Sequence, residues 1–252
     1  MVNPAIAAAV VVASLLLAIL LGKVIARLGA GHHLSPDTRD TLKLGTGLVA
    51  TMAALLLGLL VSSAKSGHDS RRGQVIQMAA KIMLLDRVLA GYGPEAADAR
   101  TKLRAAVEDM VDQVWSVEAR HGVEARSDHE TGDAAYVAIE SLSPRDEKER
   151  GLKDHAMARA VELVELRVLL LAQSIPSISI PILVTVVCWL FVIFVSFSLL
   201  APPNRTANVS LLVSALSVSG AIFLILELDQ PFGGSIQISK EPIVIALSRL
   251  GK

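Results

Sequence analysis

The pattern of apolar residues predicts four membrane-spanning helices. Uncharged, mostly apolar stretches cover residues 5–22, 44–63, 181–200 and 209–226. Each stretch is about as long as a helix must be to cross ~30 Å of hydrocarbon at ~1.5 Å per residue. The first lacks a basic region before it and is followed by Lys23, so we expect a membrane helix there rather than a cleaved signal peptide.

The helical pattern of the second span continues beyond its apolar stretch. Apolar residues recur at helical spacing through Val75, Met78 and Ile82, and the first glycine–proline stop comes at Gly93-Pro94. We therefore expect one helix that leaves the membrane and runs on into water.

The region between the second and third spans holds most of the charges and is predicted to be helical throughout. One helix should run from Pro94 to about His121, with Trp115 in its apolar face, and a short helix is expected over 134–142. Ser143, as an N-cap, should open a long helix that ends near Ser174.

The fold class predicted from these elements is an all-α membrane protein, with a helical cytoplasmic domain inserted between the second and third transmembrane helices. Residues 1–63 would hold the first two spans, 64–175 the helical domain, 176–228 the last two spans and 229–252 a cytoplasmic C-terminal segment. Four spans place both termini and the large domain on one side, which we expect to be the cytoplasm.

Composition supports a membrane protein and argues against several other classes. The 252 residues are 52% hydrophobic, mean hydropathy is +0.54, and 24 basic residues balance 24 acidic ones. No aromatic-interleaved basic surface for nucleic acid, phosphate-binding loop or nucleophile–base pair is present, so neither nucleic-acid binding nor an enzyme is expected. Cys188 is the single cysteine and His32-His33 lacks a third ligand nearby, so we predict no cofactor and no metal site.

A stripe of small residues follows one face of the second span. It consists of Gly47, Thr51, Ala54, Gly58 and Ser62. The fourth span carries a similar stripe that ends at Gly220. Because lipid gives no hydrophobic gain for helix association, such a stripe marks either close backbone packing or the lining of a space. The sequence leaves both interpretations open.

Three short motifs carry a resemblance to a known family. They are Ser-Pro-Asp-Thr-x-x-x-Leu-x-x-Gly over 35–45, Ala-Lys-Ser over 64–66, and Glu-Leu-Asp-x-Pro-Phe-x-Gly over 227–234. The last contains Glu227, Asp229, Pro231, Phe232 and Gly233. With the order of the spans, these motifs resemble the bacterial bestrophin-like family of membrane proteins, which is distantly related to the bestrophin anion channels.

The resemblance implies a homo-oligomeric channel in a bacterial inner membrane, with a pentamer favoured and the second helix lining a central pore. Its partners would be further copies of the chain, lipid and inorganic ions. The pore-lining residues would then be Thr51, Leu55, Leu59 and Ser62. The charges at the pore mouths would be Lys43, Lys65, Arg71 and Arg72. Gly234 and the next four residues include no carboxylate, so the calcium site of some bestrophins is not expected.

A second hypothesis comes from a different functional class. The chain could be a non-conducting membrane-anchored scaffold or sensor that binds a protein partner through its helical domain. A transporter is less favoured, because none of the four spans carries an ionisable residue within its apolar stretch.

Overall fold

The computed structural model describes residues 3–30, 35–115, 129–172, 179–230 and 232–251. The regular elements in these ranges are all helical. They comprise α1 (Pro4–Ile25), α2 (Pro36–Tyr92), α3 (Ala97–Trp115), α4 (His129–Glu140), α5 (Glu147–Ala172), α6 (Ile180–Leu200), α7 (Arg205–Leu228) and α8 (Glu241–Arg249). A π-helical turn, Ala26–Ala30, extends α1, and a 3₁₀ turn, Pro94–Ala96, precedes α3.

The prediction of an all-α protein with four spans is confirmed. The helices α1, α2, α6 and α7 are each long and apolar enough to cross a membrane. With 57 residues, α2 is about 85 Å long, far more than a bilayer requires. Ser35 caps its start, because the Thr38 N–H donates to Ser35 Oγ at 3.2 Å and Pro36 occupies the first helical position.

Some helix boundaries differ from the predictions. Ser143 is not the N-cap of α5, which begins at Glu147. Asp146 caps the helix instead: its Oδ1 accepts the Glu149 N–H at 2.6 Å, while Glu149 Oε2 accepts the Arg145 N–H at 2.7 Å. The short helix α4 begins at His129, five residues before the expected start at residue 134. The predicted ends of α3 at His121 and of α5 at Ser174 lie outside the described residues.

The chain forms two compact units. The membrane unit consists of residues 2–67 and 177–229, and the helical unit consists of residues 68–176 and 230–252. In the membrane unit, α1 packs against α6 and α7. Its core includes Leu15, Val186 and Ile222, joined by Leu60 and Ala64 of α2. The core of the helical unit is built from the C-terminal half of α2 together with α3, α4, α5 and the C-terminal segment.

The helices α1 and α6 approach each other closely at Gly22 of α1. A Cβ atom at Gly22 would lie 2.6 Å from the Val195 carbonyl oxygen and 2.7 Å from Ser198 Cβ, both on α6. Ser198 Oγ also donates a hydrogen bond to the Ile19 carbonyl at 2.6 Å. The small-residue contact therefore lies between the first and third spans, a pair that the sequence analysis did not single out.

Candidate functional site

The helix α2 has a buried face and an exposed face along its membrane part. Thr46, Ala53, Leu60 and Ala64 are buried, at intervals of seven, seven and four residues. These intervals keep them on one face of a helix. The opposite face is left uncovered by the described part of the protomer.

All four predicted pore-lining residues lie on the exposed face of α2. Thr51 and Ser62 are exposed, and the side chains of Leu55 and Leu59 are 71% and 64% exposed. Thr51 Oγ1 donates to the Gly47 carbonyl at 2.9 Å, so its hydroxyl is satisfied within the helix. Spacings of four, four and three residues keep the set on one face of the helix, within about 80° of rotation around its axis.

The small residues of α2 do not mark a helix contact within the protomer. Cβ atoms built at Gly47 and Gly58 would meet no described atom within 4 Å, and the same holds at Gly220 on α7. Close packing against another described helix of the same protomer therefore does not account for the stripe, and both interpretations, packing against another copy and the lining of a space, stay predictions. The stripe faces lipid, another copy or a water-filled space.

The four predicted mouth charges separate into three exposed residues and one buried residue. Lys43, Lys65 and Arg72 are exposed. The Lys43 ammonium lies 2.9 Å from Asp40, in an exposed pair that contributes little to stability. Arg71 is only 5% exposed, because it lies seven residues after Ala64 on the buried face. Arg71 therefore does not share the exposed surface of the other three in the described protomer.

The C-terminal motif begins at the end of α7. Glu227 and Asp229 are both 4% exposed, and Asp229 forms the C-cap of the helix, its N–H donating to the Ile225 carbonyl at 3.2 Å. Both residues make polar or electrostatic interactions with other groups. Pro231 lies outside the described residues.

The rest of the motif, from Phe232 to Gly234, lies within the helical unit. The Phe232 ring is half-buried and meets the Trp115 ring edge to face, with centroids 5.3 Å apart and planes at 81°. Trp115 Nε1 donates to the Ile238 carbonyl at 2.8 Å. Gly234 has a φ of +83°, a conformation that favours glycine, and it turns the chain between the two contacts. Sequence reasoning placed Trp115 in the core but did not predict its pairing with Phe232.

Two ion pairs that the sequence analysis missed join helices of the helical unit. Arg100 on α3 donates twice to Asp86 on α2, at 2.7 and 3.0 Å, and this hydrogen bonding raises the pKa of the Arg100 guanidinium. Lys81 on α2 donates to Glu162 on α5, at 2.5 Å. That bond, followed by one from Arg159, lowers the pKa of the Glu162 carboxyl. No periodic pattern could have identified these partners, which are distant in sequence or separated by a turn.

The described residues contain no group of three or more His, Cys, Asp or Glu side chains that could hold a metal ion. His32 and His33, considered above as metal ligands, lie outside the described residues.

The span count and the long second helix define the class: an α-helical integral membrane protein with four spans and a helical unit outside them. The sequence matches the model of the Bestrophin-like domain over residues 8–243, and the chain belongs to that family.

Solved structures share the fold at low sequence identity. A crystal structure of a bacterial bestrophin homologue from Klebsiella pneumoniae with one substitution is 15% identical, over 95% of this chain and 96% of that chain, with a TM-score of 0.68. Another substituted form of that homologue is 16% identical over 96% of this chain and 95% of that chain, with a TM-score of 0.67. A crystal structure described as a membrane protein is 16% identical over 95% and 96% of the two chains, with a TM-score of 0.66. No curated protein matches the sequence.

Proposed function

We propose that this protein is a homo-oligomeric anion channel in which α2 lines a central pore. The observation that carries the proposal is the exposed face of α2, where Thr51, Leu55, Leu59 and Ser62 align and Gly58 meets no described neighbour. Family membership supports the same function, since the resemblance noted above is to anion channels with the second helix at the pore.

The residues on this face suit a hydrophobic gate. Leu55 and Leu59 are one helical turn apart, so several copies around an axis would form two stacked aliphatic rings. A narrow aliphatic ring expels water and closes a pore without a charged gate. Thr51 and Ser62 would border the rings with hydroxyl groups. Lys43, Lys65 and Arg72 would raise the local anion concentration at the two ends.

An apolar stripe on the helical unit supports self-association. Val161, Val164 and Val168 on α5 lie on one face, and each is more than two-fifths exposed, Val168 reaching 59%. A helix outside the membrane normally turns charged residues to water, so contiguous exposed valines favour a covered surface. We infer that a second copy covers this stripe, within a pentamer by family resemblance. The helical unit would lie in the cytoplasm and the spans in a bacterial inner membrane.

Leu59→Ser tests the gate. The substitution should widen and wet the ring, so chloride flux from vesicles reconstituted with the purified protein should rise severalfold above that of the wild type. Flux of anions should exceed that of cations of similar size, because the charges at both ends are basic. Leu17→Ser is the matched control, since Leu17 on α1 is 59% exposed but belongs to no proposed pore.

Equal chloride flux from Leu59→Ser, Leu17→Ser and protein-free vesicles would contradict the channel. The exposed valines of α5 would then favour the other hypothesis, a membrane-anchored scaffold whose helical unit binds a protein partner.

A further inference from the structure

A basic cavity of about 800 Å³ lies in the membrane unit, where α1 ends, α2 begins and α6 ends. Four cationic side chains line it: Lys23, Arg27, Arg39 and Lys43. Among the described residues that line the cavity, none carries a carboxylate. We propose that this cavity binds the phosphate group of an anionic phospholipid.

The local structure explains why the cations converge. Lys23 lies in the last turn of α1, directly after its apolar stretch, and Arg27 follows four residues later in the π-helical turn. Arg39 and Lys43 are also four apart, in the first turns of α2. Each pair therefore lies on one side of its helix, and the two helix ends bring the pairs to one cavity.

The cavity holds more positive charge than its own surroundings neutralise. Lys43 shares its charge with Asp40 in an exposed pair at 2.9 Å, and Arg39 makes an interaction of its own. Lys23 and Arg27 have no ion-pair partner in the described part of the chain. Like charges at the edge of a low-dielectric region repel, and a bound anion would relieve that repulsion. Phosphate suits the site because a guanidinium can donate two parallel hydrogen bonds to it.

The surroundings favour a lipid over a free ion. Besides the cations, the lining is mostly apolar and includes Leu199, Leu200, Pro202 and Pro203. Lys23 marks the end of the apolar stretch of α1, which is the depth of a headgroup in a bilayer. On the same helix Leu20 is exposed and can lie against an acyl chain. Basic pockets between membrane helices on the cytoplasmic side take anionic headgroups, and the same pairing of Lys and Arg with phosphate is available in the opposite leaflet, where the expected orientation places this cavity.

Native mass spectrometry of the detergent-purified full chain, with phosphatidylglycerol or phosphatidylcholine added, tests the assignment. The wild type should retain phosphatidylglycerol in preference to phosphatidylcholine. Because each Lys or Arg near a bilayer surface adds roughly fivefold to the affinity for anionic lipid, Lys23→Gln with Arg27→Gln should weaken retention at least about tenfold. Lys148→Gln with Arg150→Gln removes the same charge, also from one Lys and one Arg, at exposed positions of α5 outside the cavity and should leave retention unchanged.

Three outcomes would overturn the proposal. The first is equal retention of the two lipids, and the second is an equal loss of phosphatidylglycerol retention in the cavity and control variants. The third is retention of inorganic phosphate without any retention of phosphatidylglycerol, which would identify a free-ion site. If the double variant fails to fold, Arg27→Gln alone makes the same test, since this side chain is exposed. Retention is measured without ion flux, so its failure would leave the channel proposal standing.

Discussion

Gly22→Leu is expected to prevent the membrane unit from folding, whereas Gly58→Leu should leave the folded protomer intact. At Gly22 even a Cβ atom would come within 2.6 Å of the Val195 carbonyl oxygen, and that neighbour is backbone, which cannot rotate away. A leucine would also separate α1 from α6 and break the bond from Ser198 to Ile19. Overpacking alone costs about 1–3 kcal/mol, and here the loss of a buried hydrogen bond adds to it.

Yield of folded protein and thermal melting in detergent measure this difference. Gly58 has open space around it in the described protomer, so any effect of Gly58→Leu should appear in oligomer mass rather than in protomer stability. A Gly22→Leu protein that melts at the temperature of the wild type would show that α1 and α6 do not approach as described.

Arg100→Met is expected to lower the free energy of unfolding by about 3 kcal/mol. Asp86 is 7% exposed and would lose both hydrogen bonds from its partner, which leaves an uncompensated buried carboxylate. The lower end of the usual 3–5 kcal/mol range applies, because the Arg100 side chain is itself 21% exposed and water screens part of the interaction. Denaturant unfolding of the full chain, followed by helical signal, gives the value.

The double variant Arg100→Met with Asp86→Leu provides the control. Removing both charges leaves no buried carboxylate, so this variant should recover much of the lost stability. A double variant as unstable as Arg100→Met would mean that packing at position 100, rather than the charge on Asp86, accounts for the loss.

The spans and the long second helix could be predicted from the sequence because their signals are local. An uncharged stretch of sufficient length and an unbroken apolar period are properties of consecutive residues. The start of α5 was missed for a related reason. Ser143 and Asp146 are both good capping residues, and only the position of Glu149 three residues after Asp146 favours the second.

The sequence did not predict which of its small or charged residues are buried. Arg71 and Arg72 are neighbours, yet ~100° of helical rotation makes one buried and the other exposed. Gly22 and Gly58 are likewise alike in sequence, and only the position of α6 distinguishes them. Such differences depend on which helices pack together, and that packing cannot be predicted from the apolar pattern of a single sequence.

Cysteine accessibility of α2 tests the central claim, that its exposed face lines a water-filled pore. In a Cys188→Ser background, which removes the single cysteine, new cysteines at Thr51 and Ser62, which border the aliphatic rings of Leu55 and Leu59, should react with a charged, water-soluble thiol reagent in lipid vesicles. A cysteine at Leu17 of α1, similarly exposed in the protomer but expected to face lipid, should not react. The account predicts modification of the α2 positions at rates well above that at position 17. Rates at positions 51 and 62 equal to the rate at position 17 would contradict it.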